Sequence, residues 1–454
     1  MAIKPKIRTI TNNSVDVLNA IRNNASVNYK NYVPVATSDP ESLRTIGAVI
    51  MDTPSLKNEF LSALANRIGR VKLTSKTYDN PWANFKKGLL EFGETIEEIF
   101  VELAKPFQYD PEVAETNLFK REIPDVRSAF HVMNYQKFYK STIQNNDLKM
   151  AFLSWEGMTD LIGKMVDALY TGANYDEFLT MKYLIARHVL EGLMKVTEIP
   201  TVEASNMKAI ASTIKRISND MEFMKSKYNL AGVHNYAKKD EQYLIVNSKF
   251  DAVMDVEVLA SAFNMSKAEF LGHRVLVDSF GELDMARLNE LFKDDPTYVE
   301  LTDAELEALD AIPAILVDAD WFMVYDNFED FTEAYNGEGL YWNYFYHVWK
   351  TFSVSPFANN TLFVAGEPTV TSITLTPAEA TVVAGQSLAL SVAVATTNFA
   401  PKSVVFTCET EGVTVNSAGV VHIGADVPSE TVITVTATST YDDSVTATAE
   451  LTVA

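Results

Sequence analysis

The chain has 454 residues, 47% of them apolar and 22% charged, and it carries a formal net charge of −22 at pH 7. This length exceeds the size at which a single hydrophobic core stops growing, so we expect two or three ordered domains. The acidic balance argues against sequence-independent nucleic-acid binding, because that affinity comes from Lys and Arg that neutralise phosphates. The single cysteine, Cys408, cannot form an intramolecular disulfide or a cysteine-based metal site.

The N-terminal stretch MAIKPKIRTITNNSVDV has an early basic cluster but lacks the apolar run of a signal peptide. An apolar run of about 18 residues, the length that spans a membrane, is also missing elsewhere. We therefore expect a soluble product made in the cytoplasm, with no membrane partner.

Residues 68–110 contain two alternating apolar runs on either side of a polar, proline-containing stretch. This pattern predicts a long two-stranded projection. An isolated ribbon is unstable in water, so the projection should lie on its own chain or on a neighbouring subunit.

Two consecutive helices are predicted next. Apolar residues at helical spacing give one stripe over 155–170, and the sequence TGAN (171–174) then reads as a turn. Asn174 followed by Glu177 has the form of an N-terminal cap, which would start a second helix over 178–194.

Further helices are predicted along the chain. Thr302 with Glu305 forms a capping box ahead of a short acidic helix that Pro313 ends. A third apolar stripe with three-four spacing comprises Met207, Ile210, Ile214, Ile217, Met221 and Met224.

Two strand-like runs follow, AILVDADWFMVYDN (314–327) and an aromatic run that begins at Tyr341 and ends at Trp349. Such a density of rings fits either a stacking platform for bases or sugars, or a strand buried on both faces. Because aromatic rings dominate cores and interfaces, the second interpretation is favoured.

The composition changes at about residue 369, since residues 369–454 hold 18 Thr and 16 Val but one Lys and no Arg. Short alternating runs separated by turn residues predict an all-β sandwich. The segment resembles the bacterial immunoglobulin-like group 2 module, with Phe406 where such modules usually carry a core Trp. That module has no chemistry of its own.

No catalytic, cofactor or metal site is predicted. The six histidines are scattered, and glycine-rich phosphate loops and a nucleophile elbow are missing from the sequence. Asp318 and Asp320 could act as a glycosidase-like or metal-binding pair, but turn capping and solvent exposure are the better interpretation.

Eight ordered strings carry a family resemblance. They are VLNAIRNN (17–24), RIG (67–69), FKKG (85–88), TIEEI (95–99), STIQNNDLKMAFLSW (141–155), AFNMSKAEFLG (262–272), ILVDADWFMVYDN (315–327) and GLYWNYFYHVWKTFSVSPFAN (339–359). Together they resemble the major capsid protein of phi-twenty-nine-type small podoviruses, a family that also carries a C-terminal immunoglobulin-like module.

The resemblance implies an α+β fold of the HK-ninety-seven type. It places a capsid shell domain at 1–368, with an N-terminal arm, an extended loop at about 60–110, spine and peripheral helices at 150–195, an axial domain at 196–310 and return strands at 311–363. The immunoglobulin-like domain would occupy 369–454. The stretches 197–242 and 282–311 depart from the family pattern, the latter as an acidic helical insertion.

The implied function is that of a virion capsid protein made in the host bacterial cytoplasm. Its partners would be further copies of itself in pentamers and hexamers, a scaffolding protein and a portal, with packaged double-stranded DNA contacted weakly on the inner face. The alternative is a bacterial surface adhesin, or a glycan-binding or glycan-active protein, with an accessory module.

Six residues are candidate assembly contacts. On the predicted ribbon, Lys86 and Lys87 are expected to meet acidic residues of an adjacent subunit. On the aromatic strand, one face is expected to lie on the spine helices and the other to face a second layer or a neighbour, which makes Trp342, Tyr344, Tyr346 and Trp349 the remaining candidates.

Overall fold

The structure is a computed structural model that describes residues 14–37, 40–53, 55–56, 59–60, 78–90, 95–110, 119–144, 155–254, 274–339 and 341–454. It divides into two compact units, one from residues 1–76 and 146–164, the other from residues 77–145 and 165–454. Within the described ranges, no helix combines the length and apolar character needed to cross a bilayer.

The first unit contains the helices Ser14–Asn24, Val27–Tyr32 and Pro40–Asp52. Ser26 caps the second helix, because its hydroxyl accepts a hydrogen bond from the backbone N–H of Tyr29 at 3.2 Å. The small core of this unit consists of Ile21, Tyr29, Val33, Ala36, Ile46, Ile50 and Leu56.

The longest element is one continuous helix, Trp155–Leu190, of 36 residues. The predicted turn at 171–174 is therefore wrong. Thr171 and Asn174 instead bind a neighbouring segment: the Thr171 hydroxyl accepts from the N–H of Tyr78, and the Asn174 amide donates to its carbonyl at 3.0 Å. These polar residues serve a lateral contact, so the predicted cap at Asn174 does not begin a new helix.

The long helix ends in a glycine turn. Gly192 adopts a φ of +67°, in the left-handed region that suits glycine after a helix C-terminus. A Cβ at this position would lie 2.8 Å from both Cγ and N of Lys402. The turn thus requires glycine for its conformation and for the close approach of the C-terminal strands.

Behind the helix lies a five-stranded sheet in the order β5-β11-β8-β6-β7. Its strands are Val196–Ile199 (β5), Gln242–Asn247 (β6), Arg274–Val277 (β7), Ala314–Asp318 (β8) and Asn360–Ala365 (β11). Every residue of β8 is buried. A second core forms where the helix Met207–Asp220 packs on this sheet.

The predicted apolar stripe on that helix is confirmed except at its end. Met207, Ile210, Ile214 and Ile217 are buried, and Met221 follows at the C-cap, also buried. Met224 lies beyond the helix and is 48% exposed, so the stripe is shorter than its spacing predicted.

Further α-helices among the described residues are Ser248–Val253, Met285–Phe292 and Asp303–Asp310. The capping box of Thr302 and Glu305 is confirmed, with both reciprocal hydrogen bonds present. The last two helices bury Leu288 and Leu309 completely. The region that departs from the family pattern thus packs into the fold.

A four-stranded sheet in the order β1-β9-β10-β4 continues from the core. It consists of Lys86–Leu89 (β1), Tyr135–Gln144 (β4), Phe322–Asn336 (β9) and Tyr341–Val354 (β10). The last two form a long antiparallel hairpin that extends from Tyr341 opposite Asn336 to Val354 opposite Phe322, with one bulge where Trp349 lies opposite Phe328 and Lys350 opposite Asp326.

The two-stranded ribbon pairs Thr95–Val101 (β2) with Val126–Val132 (β3). Its position differs from the prediction: residues 61–77 lie outside the described residues, and FKKG belongs to the four-stranded sheet instead of the ribbon. The partner of TIEEI comes from later in the chain, beyond the predicted limit at 110. Alternation shows that a strand exists, but the partner depends on the tertiary fold.

The C-terminal residues contain only strands. These are Thr369–Thr376 (β12), Glu379–Val382 (β13), Ser387–Ala389 (β14), Ser391–Thr397 (β15), Val404–Cys408 (β16), Val413–Val415 (β17), Val420–Ile423 (β18), Val432–Ser439 (β19) and Thr446–Val453 (β20). They pair as β12-β15, β13-β20-β19-β16 and β14-β18-β17 around a core of their own. Phe406 packs at the margin of that core.

Candidate assembly surfaces

The aromatic strand β10 has two different faces. Its even-numbered residues face inward: the ring of Tyr346 lies 4.5 Å from that of Tyr170 on the long helix, and Val348 and Phe352 are buried. Burial raises the pKa of Tyr346 to about 12, with a further contribution from Glu329. This face lies on the long helix, as the alternation predicted.

A buried ion network fixes the base of this face. The ammonium group of Lys350, 4% exposed, binds the carboxylates of Glu177 and of Asp326, the latter at 2.5 Å. Lys86 binds the same two carboxylates, at 3.1 Å and 2.7 Å. The network therefore ties three strands to the middle of the long helix.

The protonation of the network follows from its geometry. Burial by itself lowers the pKa of Lys350, but attraction to Glu177 and Asp326 outweighs it, and the pKa is raised overall. Burial likewise raises the pKa of Asp326, yet Lys350 and Lys86 lower it overall. Lys350 and Asp326 therefore stay charged at neutral pH, and each needs its partners because an unpaired buried charge is costly.

The odd-numbered residues of β10 form what we call the outer aromatic face: Phe345, His347 and Trp349, with Phe138 of β4 and Phe328 of β9. Ring centroids lie 6.2 Å apart for Phe138 and Phe345, and 4.7 Å apart for Phe328 and Trp349. Phe138 is 59% exposed and Phe328 39%. Rings that stack on each other but stay half exposed are typical of surfaces that a partner covers.

The remaining candidates on this strand are Trp342 and Tyr344. Trp342 contacts Tyr335 at 5.0 Å, and Tyr344 stacks on Phe331 at 6.0 Å. Both are only partly buried, so the cost expected for a fully buried Trp342 ring does not apply. Their role in assembly stays a prediction.

The two candidate lysines contact their own chain. Lys86 lies in the buried network, and Lys87 binds the carboxylate of Asp320 at 2.5 Å and the carbonyl of Ala319 at 3.0 Å. The structure therefore gives both an intrachain role, while a contact with a neighbouring subunit stays a prediction.

The base of the ribbon is bound firmly to the rest of the second unit. Buried His131 joins the hydroxyl of Ser353 at 2.7 Å to the carboxylate of Glu98 at 3.1 Å. Farther along, Glu102 accepts hydrogen bonds from both the backbone and the ring of His234. These contacts hold the direction in which the ribbon leaves the core.

Beyond β2 and β3 the chain exposes large apolar side chains. Phe107 is 71% exposed, Tyr109 89%, Phe119 91% and Ile123 83%. We call this region, residues 102–110 and 119–125, the arm. Such exposure is unfavourable in water unless another surface covers the side chains.

Asp318, the last residue of β8, and Asp320, in the turn that follows, have a structural role. The predicted solvent exposure holds for Asp320 but is wrong for Asp318, which is buried. Asp318 accepts a hydrogen bond from the backbone N–H of Asp320 at 3.1 Å, which is the predicted turn capping. Burial, together with Asp320 and Glu241, raises the pKa of Asp318 to about 6. Across the part of the chain that the structure describes, no group of three or more His, Cys, Asp or Glu could hold a metal ion.

The sequence did not predict the buried ion network of Glu177, Asp326 and Lys350. One signal was available: Lys350 occupies an inward position of an otherwise apolar and aromatic strand. A lysine in such a place must have buried partners. Neither Glu177 nor Asp326 could be selected among 60 acidic residues without the tertiary structure.

Comparison with solved structures identifies the fold. The chain resembles one in the capsid structure of Staphylococcus phage Andhra, with a TM-score of 0.53 and 15% identity over 66% of this chain and 88% of that chain. A chain from a structure of head fiber and inner core protein gp22 of native bacteriophage P68 gives a TM-score of 0.51 at 15% identity, over 65% of this chain and 87% of that one. The fold is a mixed α+β fold shared with phage capsid structures.

The family follows from sequence. The model of the Phi29-like phage major capsid protein family matches residues 18–364. The major capsid protein of Bacillus phage B103 is 36% identical over 91% of this chain and 87% of its own length, and that of Bacillus phage PZA is 34% identical over 94% and 90%. This chain belongs to the Phi29-like phage major capsid protein family, whose members are structural proteins of the virion capsid.

Proposed function

We propose that this major capsid protein assembles as pentamers and hexamers into the icosahedral or prolate shell that encloses a double-stranded DNA genome. The observation that carries the proposal is the arm, whose aromatic side chains are 71% to 91% exposed on a ribbon with a fixed base. A rigid base with an uncovered apolar end suits insertion against a neighbouring copy, because burying such anchors dominates the energy of interfaces.

The parts of an HK-ninety-seven-type subunit are assigned on this basis. The ribbon and arm correspond to the extended loop, the helix Trp155–Leu190 to the spine helix, and the five-stranded sheet with its helices to the axial domain. The sheet β1-β9-β10-β4 belongs to the peripheral domain. This assignment is supported by the family match and by the order of the elements.

The strands from residue 369 onward are assigned to an immunoglobulin-like module at the outer surface. Lys402 donates a hydrogen bond to the carbonyl of Leu190 at 2.7 Å, at the C-terminal end of the long helix, where a cation is favourable. Its backbone N–H also donates to the carbonyl of Gly192 at 3.3 Å. These contacts favour a module that is fixed to the shell, either cementing it or presenting a weak attachment surface for host glycans.

The charge of −22 suits a container wall. A wall that bound packaged DNA tightly would hinder loading and ejection, so weak contact on the inner face is the useful property. We expect a scaffolding protein and a portal to take part in assembly. The chain should fail to retard duplex DNA at physiological salt, and strong retardation with a steep salt dependence would contradict this.

The decisive experiment expresses the chain alone and with a candidate scaffolding protein, followed by negative-stain microscopy and sedimentation. Closed shells of uniform diameter, or pentamers and hexamers, are the expected result. The arm is tested by Phe107→Ser with Phe119→Ser, and the matched control is Val405→Ser with Val432→Ser, two exposed residues of the C-terminal strands. Loss of shells with the arm variant alone supports the proposal, whereas a stable monomer in every setting contradicts it and would lead to a glycan-binding screen for the adhesin alternative.

The role of the C-terminal module needs a truncation placed outside β11. Phe363 is fully buried within β11, so a chain that ends there would lose part of the five-stranded sheet. A chain that ends at Glu367 leaves the strand whole. Shells that still form but dissociate at lower temperature would favour cementing, and unchanged shells would favour attachment.

A further inference from the structure

The four-stranded sheet has two open edges within the described ranges. Strand β1 covers β9 only near Val324 and Asp326, so residues 327–336 have β10 on one side and no described strand on the other. At the opposite edge, β4 pairs only with β10. Both open edges are 10 residues long. Unpaired strand edges present free backbone donors and acceptors to another chain.

The two edges carry opposite charges. The open part of β9 contains Glu329, Asp330 and Glu333 but no Lys or Arg. Strand β4 contains Lys137 and Lys140 but no Asp or Glu. Asp330, Glu333 and Lys140 are exposed, whereas Lys137 donates to the carbonyl of Leu291.

Charges at an edge can also serve to prevent aggregation. That purpose is served by charges of the same sign on both edges, because copies then repel each other. Opposite signs attract instead. The apolar side chains agree with attraction, since Phe138 on one edge and Phe328, Phe331 and Tyr335 on the other are 37% to 59% exposed.

We propose that the β4 edge of one copy pairs with the open β9 edge of the next, so that the sheet continues from subunit to subunit. The occupant of each edge is therefore a second copy of this chain. Because the two edges differ, the contact is head-to-tail, and such contacts close into rings when the rotation between copies allows it. This inference rests on the proposed function, since it supplies a contact within a pentamer or hexamer.

The test reverses the charge of each edge separately and then of both together. The variants are Asp330→Lys with Glu333→Lys, then Lys140→Glu, then all three substitutions in one chain. The matched control is Asp426→Lys with Asp443→Lys, two exposed acids in turns between the C-terminal strands. Thermal midpoints verify that every variant is folded, and shell yield is measured by sedimentation.

We expect each single-edge reversal to lower shell yield by about tenfold or more, because like charges then face each other across the contact. The triple variant should recover yield because its edges again attract. Salt should lessen the defect, since the Debye length falls from about 10 Å at 0.1 M to about 3 Å at 1 M. The control should assemble as the unaltered chain does.

A second readout does not depend on variants. Shells co-assembled from isotopically light and heavy chains are treated with a carbodiimide, which joins Lys to Asp or Glu in direct contact. Mixed light–heavy cross-links between peptides containing Lys140 and those containing Asp330 or Glu333 support the proposal. Normal assembly of both single-edge variants, or only cross-links within one chain, would overturn it and leave the proposed function intact. Failure of the unaltered chain to assemble would overturn both.

Discussion

The two ends of the hairpin Phe322–Asn336 and Tyr341–Val354 have the same strand pairing but different surroundings. At the base, Phe322, Val324 and Phe352 are buried and Lys350 is bound to two carboxylates. At the outer end, residues 328–335 of β9 are exposed while the strand stays aromatic. The comparison shows that one continuous pair of strands contributes to folding at one end and offers surface for assembly at the other.

Substitutions at the two ends of the hairpin should therefore affect different properties of the protein. At the base, they should lower the free energy of unfolding of the single chain. At the outer end, they should leave that free energy nearly unchanged and lower shell yield.

The largest effect on folding is expected from Lys350→Met. Glu177, 3% exposed, and Asp326 would lose their main cationic partner, and removing one member of a buried ion pair costs about 3–5 kcal/mol. Urea unfolding of the unassembled chain measures this. The matched control, Lys140→Met at the exposed edge, should change the free energy of unfolding by less than about 0.5 kcal/mol. Equal effects of the two variants would show that the base is not held by the network.

A similar contrast is expected within β10 between two phenylalanines. Phe352→Ala removes a ring that packs on Tyr135 at 5.3 Å in the core, at a cost of about 3–5 kcal/mol. Phe345→Ala on the outer aromatic face should cost under about 1.5 kcal/mol, the value of an aromatic pair beyond its burial, yet lower shell yield more. Thermal unfolding and particle counts test both. If a folded Phe345→Ala chain forms normal shells, the outer aromatic face is not needed for assembly.

Strand β8, which precedes the hairpin, ends in a carboxyl group that weakens the fold at neutral pH. The pKa of Asp318 is raised to about 6 in the folded chain, against an ordinary value near 3.8. The folded state therefore binds more protons between these two values, and stability falls as pH rises through that window.

Asp318→Asn should remove this loss while its side-chain oxygen still accepts the hydrogen bond from Asp320. We expect a gain of about 3 kcal/mol above pH 7 and almost none near pH 3.5, since one pKa unit corresponds to about 1.4 kcal/mol. Unfolding measured across this pH range is the test. The same gain at both pH values would show that charge is not the cause.

A small effect on folding is expected from Trp342→Ala at the outer end. Its ring is only partly buried against Tyr335, so we expect about 1 kcal/mol, within the range of ordinary substitutions. Shell yield should fall by more than this change in stability explains. Parallel losses in thermal midpoint and in yield would instead assign Trp342 to folding.

Local patterns predicted local structure well. Thr302 and Glu305 correctly predicted the start of a helix, because the hydrogen bonds of a capping box connect residues only three positions apart. The spacing of Met207 to Met221 predicted which side chains are buried, because only one face of that helix meets the five-stranded sheet. The aromatic run predicted a strand with one face on the long helix, but only the structure showed that Tyr346, Val348 and Phe352 belong to that face. The class of protein was predicted by the eight ordered strings that resemble the capsid protein family. None of the local patterns could predict it.

The sequence did not predict contacts between residues that are far apart along the chain. The polar side chains of Thr171 and Asn174 suggested a turn, because such side chains often lie at helix ends. In the fold they instead bind the backbone of Tyr78, nearly a hundred residues away. Lys86 read as an exposed residue of a ribbon, but it belongs to the sheet and to the buried network.

By itself, the sequence determined the elements whose cause is local: the helix capped by Thr302 and Glu305, the apolar stripes, the aromatic strand and the change of composition at residue 369. Only the tertiary structure decided which strand joins β2 in the ribbon, that residues 155–190 form one helix, and which carboxylates neutralise Lys350. The physical reason is that caps and periodicity depend on residues a few positions apart. Strand partners and buried ion pairs depend on which distant groups the folded chain brings together.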